Sequence, residues 1–469
     1  MREGRFSLVS WVVCLLMGYL VGCQGSGASP AAHQEQPTAV TLVSPSATPT
    51  ATTRPAVAIA EPATITPIPT TSGSAGRPTA RVVAATATDE ELPTPALTAI
   101  TTTPTSQSVG STPPPPPVSS GPLEQPPYQA SPCSDKYPCN DDVEGWEARI
   151  RVAAGFQAHY YARVPGSPTS LAFGPDGLLY AAVQEGTIYT IDNQGTVAAY
   201  VGGFNTPTGI AFQPGTSKLY VSSRLRNENV NGEAQVSVVQ GGGVSQLFGG
   251  IPCCYTYLHA ANGLAFGPDG YGYVSVGARA DHGEILDGSG LQDVLHPWEA
   301  TILRFSPDGD LVEPYAYGLR NSYDLAWDSQ GQLYATDNAP DFGPPDELHR
   351  VAPGGQHGYP WYECDSCFSP PPEVAIVPPI YQFIPHSAAA GITVYLDDDF
   401  PGYYNSLFVA LWSAFPGAQK IVRFGPGGVG ASDFALGFAA PIDAAVGPDG
   451  ALYVADWATG IIFRIVYVG

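Results

Sequence analysis

The sequence predicts an all-β domain, and three observations carry that expectation. One apolar unit recurs six times. Each copy sets a tight turn, of Pro-Asp-Gly type in the clearest ones, between two short apolar runs. No stretch has the periodicity of a long amphipathic helix. The clearest copies are Leu171-Ala-Phe-Gly-Pro-Asp-Gly-Leu-Leu-Tyr180, Leu264-Ala-Phe-Gly-Pro-Asp-Gly with Tyr273 after it, and Ala444-Ala-Val-Gly-Pro-Asp-Gly with Leu452 and Tyr453; looser copies start at Ile210, Leu325 and Ile392. The starts are spaced by about 40 to 70 residues, the range of propeller blades with inserted loops. Six such units predict a six-bladed β-propeller within residues 128–469, its blades running from about residue 145. Two stacked sandwiches would not repeat a single turn motif in this way.

Upstream of the repeats the chain changes character. Arg2 and Arg5 precede an apolar run from Leu8 to Val21, too short for a comfortable membrane span, so residues 1–22 read as a signal peptide. Its end, Leu20-Val21-Gly22-Cys23, resembles the lipobox of bacterial lipoproteins, which implies a lipidated Cys23 and an extracytoplasmic, membrane-anchored protein; an ordinary secretory signal with an incidental cysteine is the other reading. Residues 23–127 are dominated by Thr, Pro, Ala and Ser and include five consecutive prolines, Pro113 to Pro117. Such a segment cannot bury enough apolar surface to offset chain entropy, and predicts a disordered linker. Behaving as a flexible coil it would reach about 50–60 Å.

Charge and cysteines narrow the partners. The 469 residues hold 19 Lys+Arg against 42 Asp+Glu, a net charge of -23, which excludes nucleic acid as a natural partner. Outside the cytoplasm, Cys133 with Cys139 and Cys364 with Cys367 are expected as structural disulfides. No thioredoxin-like pattern surrounds the Cys364–Cys367 motif, and the adjacent Cys253 and Cys254 stay open.

Aligning the repeats locates a site. His259 stands five residues before Leu264, and Arg320 five before Leu325, so both occupy the loop entering the first strand of consecutive blades. Asn262 and Asn321 accompany them, and His386 precedes Ile392 by six. Beyond the fourth repeat, Asp337, Asn338, Asp341, Asp346 and Glu347 gather hard oxygen donors on an irregular Pro- and Gly-containing backbone, a composition suited to calcium.

The same stretches resemble the glucose/sorbosone dehydrogenase family, extracytoplasmic six-bladed propellers that oxidise sugars with pyrroloquinoline quinone (PQQ) and calcium. The resemblance is carried by His259-Ala-Ala-Asn262-Gly-Leu-Ala-Phe-Gly-Pro-Asp-Gly, Gly318-Leu-Arg-Asn-Ser-Tyr, and the segment from Asp346-Glu347 to Gly355-Gln-His-Gly-Tyr-Pro-Trp361, against family patterns close to HxxNxLxFGPDG, G(L/H)RNPxGLA and DElNxVxxGGNYGWP. It implies that His259 is the general base, that Arg320 stabilises the reduced quinone oxygen, and that Asn321 and Asn262 help hold the cofactor. It further implies calcium on the backbone carbonyls of Ala339 and Pro340, with Asp346 and Glu347 supporting that loop. The expected partners are a sugar, an extracytoplasmic electron acceptor and, through the lipid, a membrane. The chain departs from the family where cations are expected in the last two blades, offering Leu411-Trp-Ser-Ala-Phe-Pro416 and Ala440-Pro-Ile-Asp-Ala-Ala-Val. Competing readings are a calcium-dependent lactone hydrolase and a non-catalytic binding module.

Overall fold

The computed structural model describes residues 133–226, 232–254, 259–281, 296–340, 344–361 and 372–469. The signal segment, Cys23, the linker, Asp341 and the Cys364–Cys367 pair lie outside these residues.

Six antiparallel sheets form the blades. Blade one runs through Pro168–Phe173, Leu179–Val183, Thr187–Ile191 and Val197–Gly202, and blade two through Asn205–Phe212, Leu219–Arg226, Gly232–Gln240 and Gly243–Cys253. Blade three holds Ala261–Phe266, Gly272–Val276, Thr301–Phe305 and Val312–Tyr317; blade four Ser322–Trp327, Leu333–Asp337, Glu347–Arg350 and Tyr381–Gln382. Blade five begins with Ala389–Val394 and Leu407–Leu411 and blade six with Pro441–Val446 and Leu452–Asp456. The first strand of every blade touches the first strands of both neighbours, which closes a ring around a central channel. The six repeats read from the sequence are these innermost hairpins.

The repeat has a side-chain logic. In blades one, three and six the turn aspartate accepts the hydroxyl of the tyrosine four residues on: Asp176 from Tyr180 (2.9 Å), Asp269 from Tyr273 (2.8 Å) and Asp449 from Tyr453 (2.9 Å). The other carboxylate oxygen takes a backbone N–H inside the turn, as from Leu178 to Asp176. The closing glycines Gly177, Gly270 and Gly450 have φ of 80°, 80° and 67°, where a side chain would be strained. Pro-Asp-Gly followed by Tyr is therefore a turn and its own lock.

The ring is sealed by the start of the domain. Phe156–Arg163 pairs antiparallel with the last strand, Ile461–Tyr467, and completes blade six; Arg151–Val152 adds a fifth strand to blade five by pairing with Leu436 and Ala435. Just upstream, the one short helix described, Val143–Arg149, is capped by Asp142 and buries Trp146 against Tyr137 and Phe463. Arg149 donates to the Gly437 carbonyl at 2.8 Å. Cys133 and Cys139 are bonded at 2.04 Å just upstream of this helix, and the Cys253 and Cys254 sulfurs are paired with each other.

Inside the channel, side chains on the innermost strands form layers. Tyr323 of blade four reaches across to donate to the Thr169 carbonyl of blade one, the opposite blade, at 2.9 Å, and so plugs the channel. One residue deeper lie Asp324 and Asp443, each accepting a backbone N–H from the next blade, Ile392 at 2.9 Å and Leu171 at 2.7 Å. Gly263 and Gly391 face them because the carboxylates occupy the space a Cβ would need. Below the plug the channel opens into a cavity of about 540 Å³ that these carboxylates share with Phe266 and Trp327.

Candidate active site

Above the plug, two rings of residues define a mouth. The first comprises the positions five residues before each repeat: Gly166, Asn205, His259, Arg320, Ser387 and Ala439. The second lies at the ends of the second strands: Gln184, Arg224, Gly277, Asn338, Trp412 and Trp457. Five of the second set donate their backbone N–H to the same place in their own blade, at Ser167, Ala260, Asn321, Ala388 and Ala440, and Arg224 pairs with Asn205. The rings are thus level in all six blades.

His259 and Arg320, expected together from the sequence, do meet here. Both are buried, and the backbones behind them are joined, Ala278 N–H donating to the Arg320 carbonyl at 2.7 Å. Burial holds the His259 imidazole well below its usual range, and the positive charges of Arg320 and Arg224 push it further, against a hydrogen bond to the Ala278 backbone. His259 is accordingly a neutral imidazole at physiological pH.

Arg320 is fixed by its own donors. Nη2 and Nε bind the Asp281 carboxylate (2.5 Å) and carbonyl (2.9 Å), while Nη1 reaches the carbonyls of Asn338 (2.9 Å) and Ala339 (3.0 Å). Its backbone N–H and that of Asn321 are both held by Asp337, at 2.9 and 2.7 Å. Asn262 is fully buried and donates to the Asn321 Oδ1 at 2.9 Å and to the Ser322 carbonyl. The two asparagines therefore brace the loop under Arg320. Gly277 makes room, since a Cβ there would stand 2.6 Å from Asn321 Oδ1.

The residues expected around a metal divide. Asp346 accepts from the N–H groups of Ala339 (3.0 Å) and Ala388 (2.7 Å) and from the Ser387 hydroxyl (3.1 Å), tying blades four and five together. The Ala339 carbonyl already accepts from Arg320, and Pro340 lies next to it in the chain. Glu347 instead joins Asp337 and His349 in a buried cluster whose ligand atoms lie within 4.8 Å of one another. Burial and then the Glu347 charge push the Asp337 carboxyl well up. His349 Nε2 meets Glu347 at 3.0 Å and its Nδ1 meets His357 at 3.3 Å.

Several mouth residues were not expected: Arg224, Asp281, Gln184, Trp412 and Trp457. Most were visible in principle, because the fourth residue after each repeat's Tyr or Phe, counted from Tyr180, Tyr220, Phe408 and Tyr453, reaches Gln184, Arg224, Trp412 and Trp457. His386 lies on the rim, stacked on Phe415 at 5.3 Å.

With this geometry in place, the comparisons with known proteins fall on the same region. The family model for Glucose / Sorbosone dehydrogenase matches residues 166–464, from the entry to blade one into the strand Ile461–Tyr467 of blade six. The chain belongs to the glucose/sorbosone dehydrogenase family. Membership carries a sugar-dehydrogenase-like function. The PQQ-bound aldose sugar dehydrogenase of Streptomyces coelicolor shares the fold at 22% identity, covering 67% of this chain and 99% of that one with a TM-score of 0.51. The apo soluble aldose sugar dehydrogenase of Escherichia coli does so at 16% identity, 66% and 99% coverage and a TM-score of 0.55. The holo PQQ domain of pyranose dehydrogenase from Coprinopsis cinerea follows at 16%, 68% and 97%, with a TM-score of 0.52. No curated protein sequence matches the chain.

Proposed function

We propose that this propeller oxidises a sugar hydroxyl at its mouth, outside the cytoplasm, with PQQ as cofactor and a separate acceptor drawing off the electrons. The observation that carries the reading is the neutral His259 beside the buried Arg320 at matching positions of consecutive blades. An unprotonated imidazole takes the hydroxyl proton as the C–H bond breaks, and an immobilised guanidinium stabilises the oxygen that gains charge. Asp281 aims that guanidinium, and the Asn262–Asn321 pair keeps the loop beneath it from yielding. The quinone, when bound, supplies the hydride acceptor. Lipidation at Cys23 and the long linker would hold the enzyme at a membrane.

The mouth fits a planar triacid along one side. Arg224 and Arg320 bring positive charge from blades two and four. Over blade six, the Ala439 and Ala440 N–H groups are both taken by Asp456, at 2.6 and 3.0 Å, and no side-chain cation stands in that blade's share of either ring. Calcium fits less well at the Ala339 carbonyl, because a guanidinium already points at it. A divalent cation is better suited to Asp337, Glu347 and His349, whose oxygen and imidazole donors converge. A lactone hydrolase would need carboxylates on the axis of the mouth. The axial carboxylates, Asp324 and Asp443, lie beyond Tyr323, which favours oxidation.

Dye-coupled oxidation of an aldose panel, with PQQ and calcium added, tests the proposal. Sugar-dependent dye reduction that collapses in His259→Ala is the expected result. No reduction with any sugar, from protein that demonstrably binds PQQ, would sink it.

A further inference from the structure

The plug divides the channel, and the half below it has a chemistry of its own. The residues immediately before the six repeats are Ser170, Gly209, Gly263, Asp324, Gly391 and Asp443. Three glycines, one hydroxyl and two carboxylates thus ring the channel just under Tyr323. The carboxylates stand in alternate blades, four and six, and the charge of Asp324 acts on Asp443. Backbone N–H groups anchor both: Ile392 donates to Asp324 at 2.9 Å, and Leu171 and Ala444 donate to the two oxygens of Asp443, each at 2.7 Å. Asp443 is buried, whereas Asp324 keeps a partial opening onto the cavity of about 540 Å³ beneath. Among the described residues, no lysine, arginine or histidine lines that cavity. Paired carboxylates withdrawn from water call for a cation, because uncompensated buried charge is costly. Here no side chain supplies one. The walls beyond the carboxylates include Phe266, Trp327, Val394 and Val446, and the half-exposed Leu396 and Asp397 lie toward solvent.

We infer that the lower half of the channel is a second ligand site, for an organic cation: an amine whose ammonium sits at Asp324 and Asp443 and whose apolar body occupies the cavity. The volume of about 540 Å³ lies within the range of small-molecule sites, roughly 300–1,000 Å³. An inorganic cation suits the site less well. Calcium takes roughly six to eight oxygens, while the carboxylate oxygens here already accept N–H groups, and the side chains around them are apolar apart from Ser170 and Thr393. An ammonium needs only about three acceptors, and aromatic walls attract a cation as well as a hydrocarbon body. The field favours the same ligand. The chain's net charge is -23, and Asp397 opens a run of three aspartates where the cavity meets solvent, which draws cations in and turns anions away. Tyr323 separates this site from the mouth, so the inference does not depend on sugar oxidation above the plug.

The test titrates the full chain calorimetrically at pH 7.5 with three probes of one shape: 2-phenylethylamine, 2-phenylethanol and 3-phenylpropionate. The expected result is one amine bound per chain, at least tenfold tighter than the alcohol, with the carboxylate not binding. Asp324→Asn should weaken the amine about tenfold or more, and His259→Ala, above the plug, should leave it unchanged within twofold. Should Asp324→Asn fail to unfold cooperatively, Thr393→Arg supplies the comparison: it brings a guanidinium into the cavity from a half-exposed wall position and should abolish amine binding. No amine binding, equal affinity for amine and alcohol, or undiminished binding in these cavity variants overturns the inference. Loss of binding in His259→Ala does so too, by placing the amine in the mouth. A parallel titration with calcium chloride settles the class of cation. Calcium that displaces the amine and is itself lost in Asp324→Asn would make this a metal site and overturn the organic ligand.

Discussion

Replacing Asp324 by asparagine should stabilise this propeller at neutral and alkaline pH. Burial pushes the Asp324 carboxyl up from 3.8 to about 7, although the N–H groups of Ile392 and Leu325 pull it down. Asp443 is raised as well, by burial and by the charge of Asp324. A native carboxyl raised in this way binds its proton more tightly than the unfolded chain does, so unfolding becomes easier as pH climbs from about 4 to 7 and then levels off. Three units correspond to about 4 kcal/mol at 1.36 kcal/mol each. The side chain keeps some access to the channel, so roughly 1–3 kcal/mol is the expected recovery at pH 8. Asparagine keeps an oxygen for the Ile392 N–H and cannot ionise. Urea unfolding of wild type and Asp324→Asn at pH 5 and pH 8 is the assay. The variant should gain stability at pH 8, little at pH 5, and show a flatter profile. A loss of stability at pH 8, or parallel profiles, would refute the reasoning.

Three further outcomes are expected. His259→Ala should lower kcat by about 10²–10⁴-fold, and because His259 is neutral, wild-type kcat/KM should show no protonation step from this group between pH 6 and 8. Titration with PQQ should give a dissociation constant about a hundredfold or more weaker than in relatives with arginines in the last two blades, since each missing charge-assisted hydrogen bond costs about 1.5–3 kcal/mol; Arg224→Gln should weaken it further, and nanomolar binding would show that other cations serve. Limited proteolysis should release a compact fragment beginning between about residues 125 and 145, read by mass spectrometry, because the Thr- and Pro-rich linker ends there.

The fold was legible because its repeat is local chemistry. Asp176 and Tyr180, four residues apart, lock one turn by themselves, and Asp449 and Tyr453 do the same in the last blade. His259 and Arg320 were legible for the same reason, since their distance to the next repeat is written in the chain. What stayed hidden depends on contacts between blades. That Asp346 is spent on Ala388 and Ser387, or that Tyr323 reaches Thr169, follows from the ring closing and from no spacing in the sequence. The Ala339 carbonyl was expected to face a metal; whether a guanidinium reaches it depends on the Arg320 rotamer, set by Asp281 in a neighbouring blade.

The place where the ring is sealed is also the place where the chain enters it. Phe156–Arg163 is zipped to Ile461–Tyr467, and immediately before it the lead-in is fastened to both adjoining blades, through Trp146 on Phe463 and Arg149 on Gly437. Tension arriving from residues upstream of Cys133 must first undo these fastenings before it can begin to peel the seam. The clasp thus works as a strain relief, like the collar where a cable enters a plug. It also fixes an order of assembly: the strand Phe156–Arg163 has no partner until Ile461–Tyr467 has been made.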